Sequence, residues 1–163
     1  MAIDAYLQID GIKGESTDSS HAGWIELTSA QWGVTQPKSA TASTGGGHTA
    51  ERCEHRALAI SKLADLSSPL LMQNCSMGKT LPKAKLEFMR ADGDGRPVKY
   101  YEVELDNVLV ASMDQAVHEG GILHDNVGLR FSKVKWKYTQ QKIAGGAGGN
   151  TAGGWDLASN KVA

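Results

Sequence analysis

Several things are scarce in this sequence, and each scarcity closes off a class of function. Cysteine occurs only twice in 163 residues, at Cys53 and Cys75. The two show no Cys-x-x-Cys spacing and build no disulfide framework, so folding needs no oxidising compartment. An excess of one charge is missing as well: 17 Lys and Arg stand against 18 Asp and Glu, a formal net charge of -1. Such a balance gives no global attraction to nucleic acid or to an anionic membrane. No stretch approaches the ~18 apolar residues of a membrane-spanning helix, and no membrane insertion is expected. The first residues carry Asp4 where a signal peptide would be basic. The expectation is a chain made and folded in the cytoplasm, with export left open by a route that cleaves no signal. Proline is confined to positions 37, 69, 82 and 97, outside the interiors of the strands proposed below.

What the sequence does have is β pattern. Residues 127–138 show it best: Val127, Leu129 and Phe131 are apolar at odd positions, whereas Val134, Trp136 and Tyr138 are apolar at even ones. A strand has period two, so the change of parity near Ser132 marks a bulge or a passage from one sheet into another. Lys133, Lys135 and Lys137 then form a basic row on the face away from the core. Residues 24–35 change parity in the same way, between Ile25 and Leu27 and then Trp32 and Val34.

The rest of the chain reads as strands with one helix. Ala5, Leu7 and Ile9 open it as a strand, and residues 50–62 and 83–88 read the same way. Asp92-Gly93-Asp94-Gly95 is a hairpin turn between strands, and residues 98–111 are one long strand or two broken near Asp106-Asn107. Ser67-Ser68-Pro69 offers a hydroxyl cap followed by proline in the first turn, and Gly78 supplies the stop, which predicts a helix of roughly ten residues between them. Leu70, Leu71, Asn74 and Cys75 share one face of it. Residues 37–49 are a long loop of small residues, 113–125 a polar loop, and 145–154 a glycine-rich linker to a C-terminal tail. One domain spans residues 1–163.

The candidates for chemistry are poor ones. Gly78-Lys79-Thr80 resembles the end of a phosphate-binding loop, but Gln73 stands where the first glycine belongs and the tripeptide follows a helix. Histidines 21, 48, 55, 118 and 124 show no metal-ligand spacing. Cys53 and His55 would share a strand face as an activated thiol requires, with no further support. No catalytic residue, cofactor or metal is assigned. A non-catalytic sandwich that binds a small ligand or glycan through Trp24 and the His118 to His124 loop is the alternative to an assembling protein. Strands with open edges and mixed faces favour assembly.

In order and spacing, Gly11-Ile12-Lys13-Gly14-Glu15-Ser16, Trp32-Gly33, Ser67-Ser68-Pro69-Leu70, Gly78-Lys79, the 127–138 strand with Gln141-Lys142, Gly154-Trp155-Asp156 and Asn160-Lys161 resemble the haemolysin-coregulated protein (Hcp) family. That family forms the tube of bacterial type VI secretion. The resemblance implies a mainly β fold similar to phage tail-tube proteins: a β-barrel of two sheets with one short flanking α-helix. It implies a homo-hexameric ring, rings stacked into a hollow tube, effector proteins carried in the lumen, and spike and contractile-sheath components as partners. It also implies secretion without a cleaved signal. Thr28, Ser29 and Gln31 are then the lumenal residues, with Gln31 the foremost cargo contact; small uncharged side chains there would let varied cargo pass. The loop of Thr41, Ala42, Ser43, Thr44, Gly45, Gly46, Gly47 and His48 is the candidate for docking a neighbouring subunit or ring, its glycines free to adopt the shape contact demands.

Overall fold

The computed structural model describes residues 3–37, 52–143 and 147–163. Twelve strands and one helix are present among them. Apolar alternation explains β1 (Asp4–Ile9), where Ala5, Leu7 and Ile9 are buried and their neighbours are not. The stretch after it is three short strands, β2 (Ile25–Glu26), β3 (Ser29–Gln31) and β4 (Val34–Thr35), followed by β5 (Glu54–His55) and β6 (Leu58–Leu63). The helix α1 (Ser68–Met77) precedes the hairpin of β7 (Thr80–Ala91) and β8 (Pro97–Ala116). Then come β9 (His124–Arg130), β10 (Lys133–Gln141), β11 (Ala147–Asp156) and β12 (Lys161–Val162).

Ten of these strands form one antiparallel sheet in the order β12-β11-β10-β8-β7-β1-β2, with a branch running from β8 through β9 and β6 to β3. The second sheet holds only β4 and β5. The large sheet curls over a single apolar core that includes Leu7, Ile25, Leu58, Leu71, Leu86, Val103 and Leu129. It does not close by a continuous ladder. Its two ends meet in the chain itself: Leu27 N donates to Ala5 O at 3.1 Å on the β1 side, and Thr28 N donates to Ser61 O at 2.8 Å on the β6 side.

The branch is where the parity of 127–138 changes. That stretch is two strands rather than one: β9 pairs with β6 and β8, whereas β10 pairs with β8 and β11. Strand β8 turns at the same level, at Asn107, whose φ is +53°. Ser132 N donates to Asp106 O at 3.0 Å and Asn107 Nδ2 to Ser132 Oγ at 2.8 Å, so the two strands bend together. Asparagine tolerates this left-handed conformation better than most side chains do.

Other expectations change as well. Of the linker expected over 145–154, the described residues 147–154 are strand, since β11 (Ala147–Asp156) pairs with β10 from Lys133 to Gln141. The polar loop of 113–125 shrinks to residues 117–123, because β8 runs on to Ala116 and β9 starts at His124. Glycine and polar side chains lower strand propensity, but a ladder to a neighbouring strand overrides it. At the helix, Gly78 takes φ +64° as the stop requires, yet the serines do not cap. Ser67 Oγ is bound to Asp65 and Ser68 Oγ to Asp125, which draws both hydroxyls into a side-chain network. Leu71 and Asn74 are buried and Cys75 packs against the core, but Leu70 is 40% exposed. The Asp92 turn is as expected: its Oδ1 accepts from Asp94 N at 2.8 Å and Arg96 N at 2.9 Å, with Gly95 at φ +77°.

Candidate functional site

The branch β3-β6-β9-β8 carries an outward face made of small side chains. Register sets them in two rows across four strands. One row is Ser29, Ser61, Asn126 and Asp114; the next is Gln31, Ala59, Gly128 and Ser112. Ser61 Oγ donates to Asn126 Oδ1 at 2.7 Å within the first row. In the second, a Cβ on Gly128 would stand 2.5 Å from Ser112 Oγ, so glycine lets the serine lie across the sheet. Both outer margins of this face are open among the described residues: β3 pairs only with β6, and residues 110–116 of β8 pair only with β9. Thr28, Ser29 and Gln31, the candidates named from the sequence, are all exposed here. Sequence reading missed Ala59, Ser61, Ser112, Asn126 and Gly128. Alternation in β6 and β9 could have marked them, but which strands lie beside β3 is a matter of long-range pairing.

Turning the same strands over shows what holds the face. Lys62 and Asp125, the neighbours of Ser61 and Asn126, are both fully buried. Lys62 Nζ lies 2.7 Å from Asp125 Oδ2, 2.8 Å from Asp65 Oδ1 and 3.0 Å from Ser68 Oγ, and it donates to Leu63 O at 3.2 Å. Gln115 Nε2 donates to Asp125 Oδ1 at 2.9 Å. Burial pushes the Asp125 carboxyl up, but the hydrogen bonds from Lys62, Ser68 and Gln115 outweigh it and leave the pKa below the ordinary value. A paired, hydrogen-bonded buried charge is tolerable where a lone one is not. The network ties β6, β9, the end of β8 and the start of α1 together.

A different outward face lies on the other arm. Across β10, β8 and β7, Lys133, Asp106 and Lys83 stand in one row, Lys135, Glu104 and Lys85 in the next, and Lys137, Glu102 and Glu87 in the third. The predicted row of three lysines is therefore one edge of a charged lattice. Lys99 bonds Glu102, and Lys85 lies 3.3 Å from Glu102 and 3.6 Å from Glu104. Burial raises the Glu102 carboxyl, and the Lys99 hydrogen bond foremost among the opposing effects brings it down to about 2. Glu87 also accepts from the buried His21, whose Nε2 is 2.6 Å away and whose Nδ1 meets Asp18 at 2.7 Å.

The other candidates separate. Trp24 is half-buried and makes a T-shaped contact with His21, with ring centroids 4.7 Å apart. His124 Nδ1 is held 2.7 Å from Ile122 O. Cys53 Sγ contacts Glu54 O at 3.8 Å, and His55 stacks on Trp136, so thiol and imidazole do not form a pair. Among the described residues, no three His, Cys, Asp or Glu are grouped to hold a metal ion, and no helix is long and apolar enough to cross a membrane. The candidate docking loop from Thr41 to His48 lies outside the described residues.

Comparison with known proteins agrees with this architecture. Protein hcp1 of Pseudomonas aeruginosa is 37% identical over 162 residues, covering 98% of each chain. The crystal structure of Hcp1 from Salmonella typhimurium superposes with a TM-score of 0.82 at 30% identity over the whole of both chains. A structure described as a type six secretion system protein gives a TM-score of 0.91 at 28% identity, covering 99% of this chain and 100% of the other. The family model for the type VI secretion system effector Hcp matches residues 6–138. With the sheet order, the helix and the open-edged face in place, the chain belongs to the Hcp family of type VI secretion proteins.

Proposed function

We propose that six copies close head-to-tail into a ring, that the β3-β6-β9-β8 face lines its lumen, and that stacked rings carry effector proteins outward. The observation that carries this is the small polar face with an open strand edge on each side. Neighbouring copies can join β8 of one to β3 of the next and extend the sheet around a hole. Two different edges meeting suit a cyclic assembly, in which the rotation between subunits fixes their number. Each such contact should remove about 1,000 Å² or more from water.

Lumenal rows of serine, asparagine, glutamine, alanine and glycine, with Asp114 at the β8 margin as their one charge, offer weak, unspecific hydrogen bonds, which suits passage of varied cargo. Gln31 is the residue proposed to touch it. The 41–48 loop is proposed to dock a neighbouring subunit or ring, and the spike and contractile sheath are the remaining partners. The protein is proposed to act by shape rather than catalysis and to leave the cell without a cleaved signal.

Native mass spectrometry tests the assembly. A species of six times the 17.4 kDa chain is expected, and a monomer at every concentration would refute it. Gln31→Arg should keep that mass and change cargo co-purification; unchanged retention of every cargo removes Gln31 from the lumen. Deleting Gly45, Gly46 and Gly47 should impair stacking more than ring closure in sedimentation velocity.

A further inference from the structure

A third open edge lies away from the small polar face, on β11. Strand β12 covers only Trp155 and Asp156, and Ala163 N donates to Gly154 O at 3.3 Å. Since Gly154 turns its carbonyl to the outer side, alternation puts the N–H and C=O groups of Ala152 and Asn150 on that side too. Both residues are exposed, and no strand pairs with them there among the described residues. Neither proline nor a charged side chain guards residues 147–153, the usual protections of such an edge.

Beside the edge stand two cations without ion pairs among the described residues, Lys135 and Lys137. Glu102 and Glu104, one strand further back, are taken by Lys85 and Lys99. Across the ladder from Lys135 and Lys137 lie Gly154 and Ala152, too small to block them. The Lys135 stem already leans that way: its Cγ lies 3.1 Å from where a Cβ on Gly154 would be. A shallow depression of about 330 Å³ lies along this margin, lined by Lys135, Lys137, Ala152 and Gly153 on the β11 side and by Glu102 and Glu104, already paired with Lys85 and Lys99, on the β8 side. A strand added to β11 would run ~10 Å from β10, a gap that a lysine and a facing glutamate side chain span together.

We propose that the outer edge of β11 is a strand-addition site for an extended acidic polypeptide segment of another protein. Asn150 and Ala152 would supply the main-chain hydrogen bonds, and Lys135 and Lys137 would reach over β11 to alternate carboxylates. Main-chain pairing gives the affinity in this mode and the flanking side chains give the choice of partner. The site lies on the arm that does not carry the small polar face.

The test uses the full chain with two labelled eight-residue peptides, one alternating threonine with glutamate and the other threonine with lysine, read by fluorescence anisotropy and amide hydrogen exchange. The glutamate peptide should bind, weaken with added salt, and protect the Asn150 and Ala152 amides; the lysine peptide should not bind. Lys135→Ala with Lys137→Ala should weaken binding at least tenfold. Ala152→Pro, which deletes an outward N–H, should abolish it with the melting curve retained; Ala152→Glu, which leaves the ladder intact and adds a repelling charge, should weaken it tenfold even if the proline variant misfolds. Equal binding of both peptides, absence of binding, or protection elsewhere overturns the proposal. Loss of the oligomer in Ala152→Glu would also overturn it, because a second copy would then be the occupant.

Discussion

Strand β8 belongs to two outward faces at once, and the contrast between its halves explains much of the molecule. Before Asn107 it carries Glu104 and Asp106 between lysines of β7 and β10, and Glu102 between Lys137 and Glu87; after it, Ser112 and Asp114 join the small residues of β9, β6 and β3. Charge is thus set on the outward face of one arm, where Glu104 is open to water although Glu102 is covered by its lysines. On the other arm Asp114 alone of the two rows bears an exposed charge, and the ion pair of Lys62 and Asp125 is concealed directly behind the small polar face. A displayed charge is screened by water and adds little to stability. A concealed pair is costly to break, and here it frees the outer surface from carrying structural charge.

Removing one charge from each side gives the largest expected contrast. Asp125→Ala leaves Lys62 buried beside Asp65 without its fully buried partner and should cost about 3–5 kcal/mol. Glu104→Ala, in the open lattice, should cost about 0–1 kcal/mol. Urea denaturation measures both, and equal costs would erase the distinction.

Acid titration should sharpen it next. The Asp125 and Glu102 pKa values are lowered in the folded state, so folding releases protons and their contribution is fully present above the unfolded carboxylate values. It is lost as pH falls below about 4 and, for Glu102, on down to about 2. The urea midpoint should therefore drop between pH 5 and pH 2, and less steeply in Glu102→Gln. A midpoint flat across that range would contradict the assigned pairs.

The smallest effect is expected at Gly128→Ala, whose new Cβ meets only the hydroxyl end of the exposed Ser112. Rotation of that one side chain can relieve the clash, so the cost should stay below about 1 kcal/mol. A cost above about 2 kcal/mol would show the small face to be packed rather than open.

Much of this was legible from alternation. Apolar parity located β1, β7, both arms of the 127–138 bend and the lysine row; proline and glycine located the helix and its stop. Residues 147–154 were not legible as strand, because glycine has no propensity for one and only the β10 ladder makes it so. The lumenal candidates Thr28, Ser29 and Gln31 came from the family resemblance and stand as a proposal. Their partners were not legible, since Ser61 and Asn126 meet Ser29 only through pairings spanning 32 and 65 residues. Lys62 closes the strand expected over residues 50–62, and nothing local shows that its fully buried carboxylate partner comes from 63 residues away.

Electron cryomicroscopy of the purified particles at side-chain resolution tests the central claim most directly. The account predicts a six-fold ring whose hole is walled by Gln31, Ser61, Ser112 and Asn126, with Lys135 and Glu104 on the outside. A hole walled by the charged lattice, or particles without a hole, would contradict it.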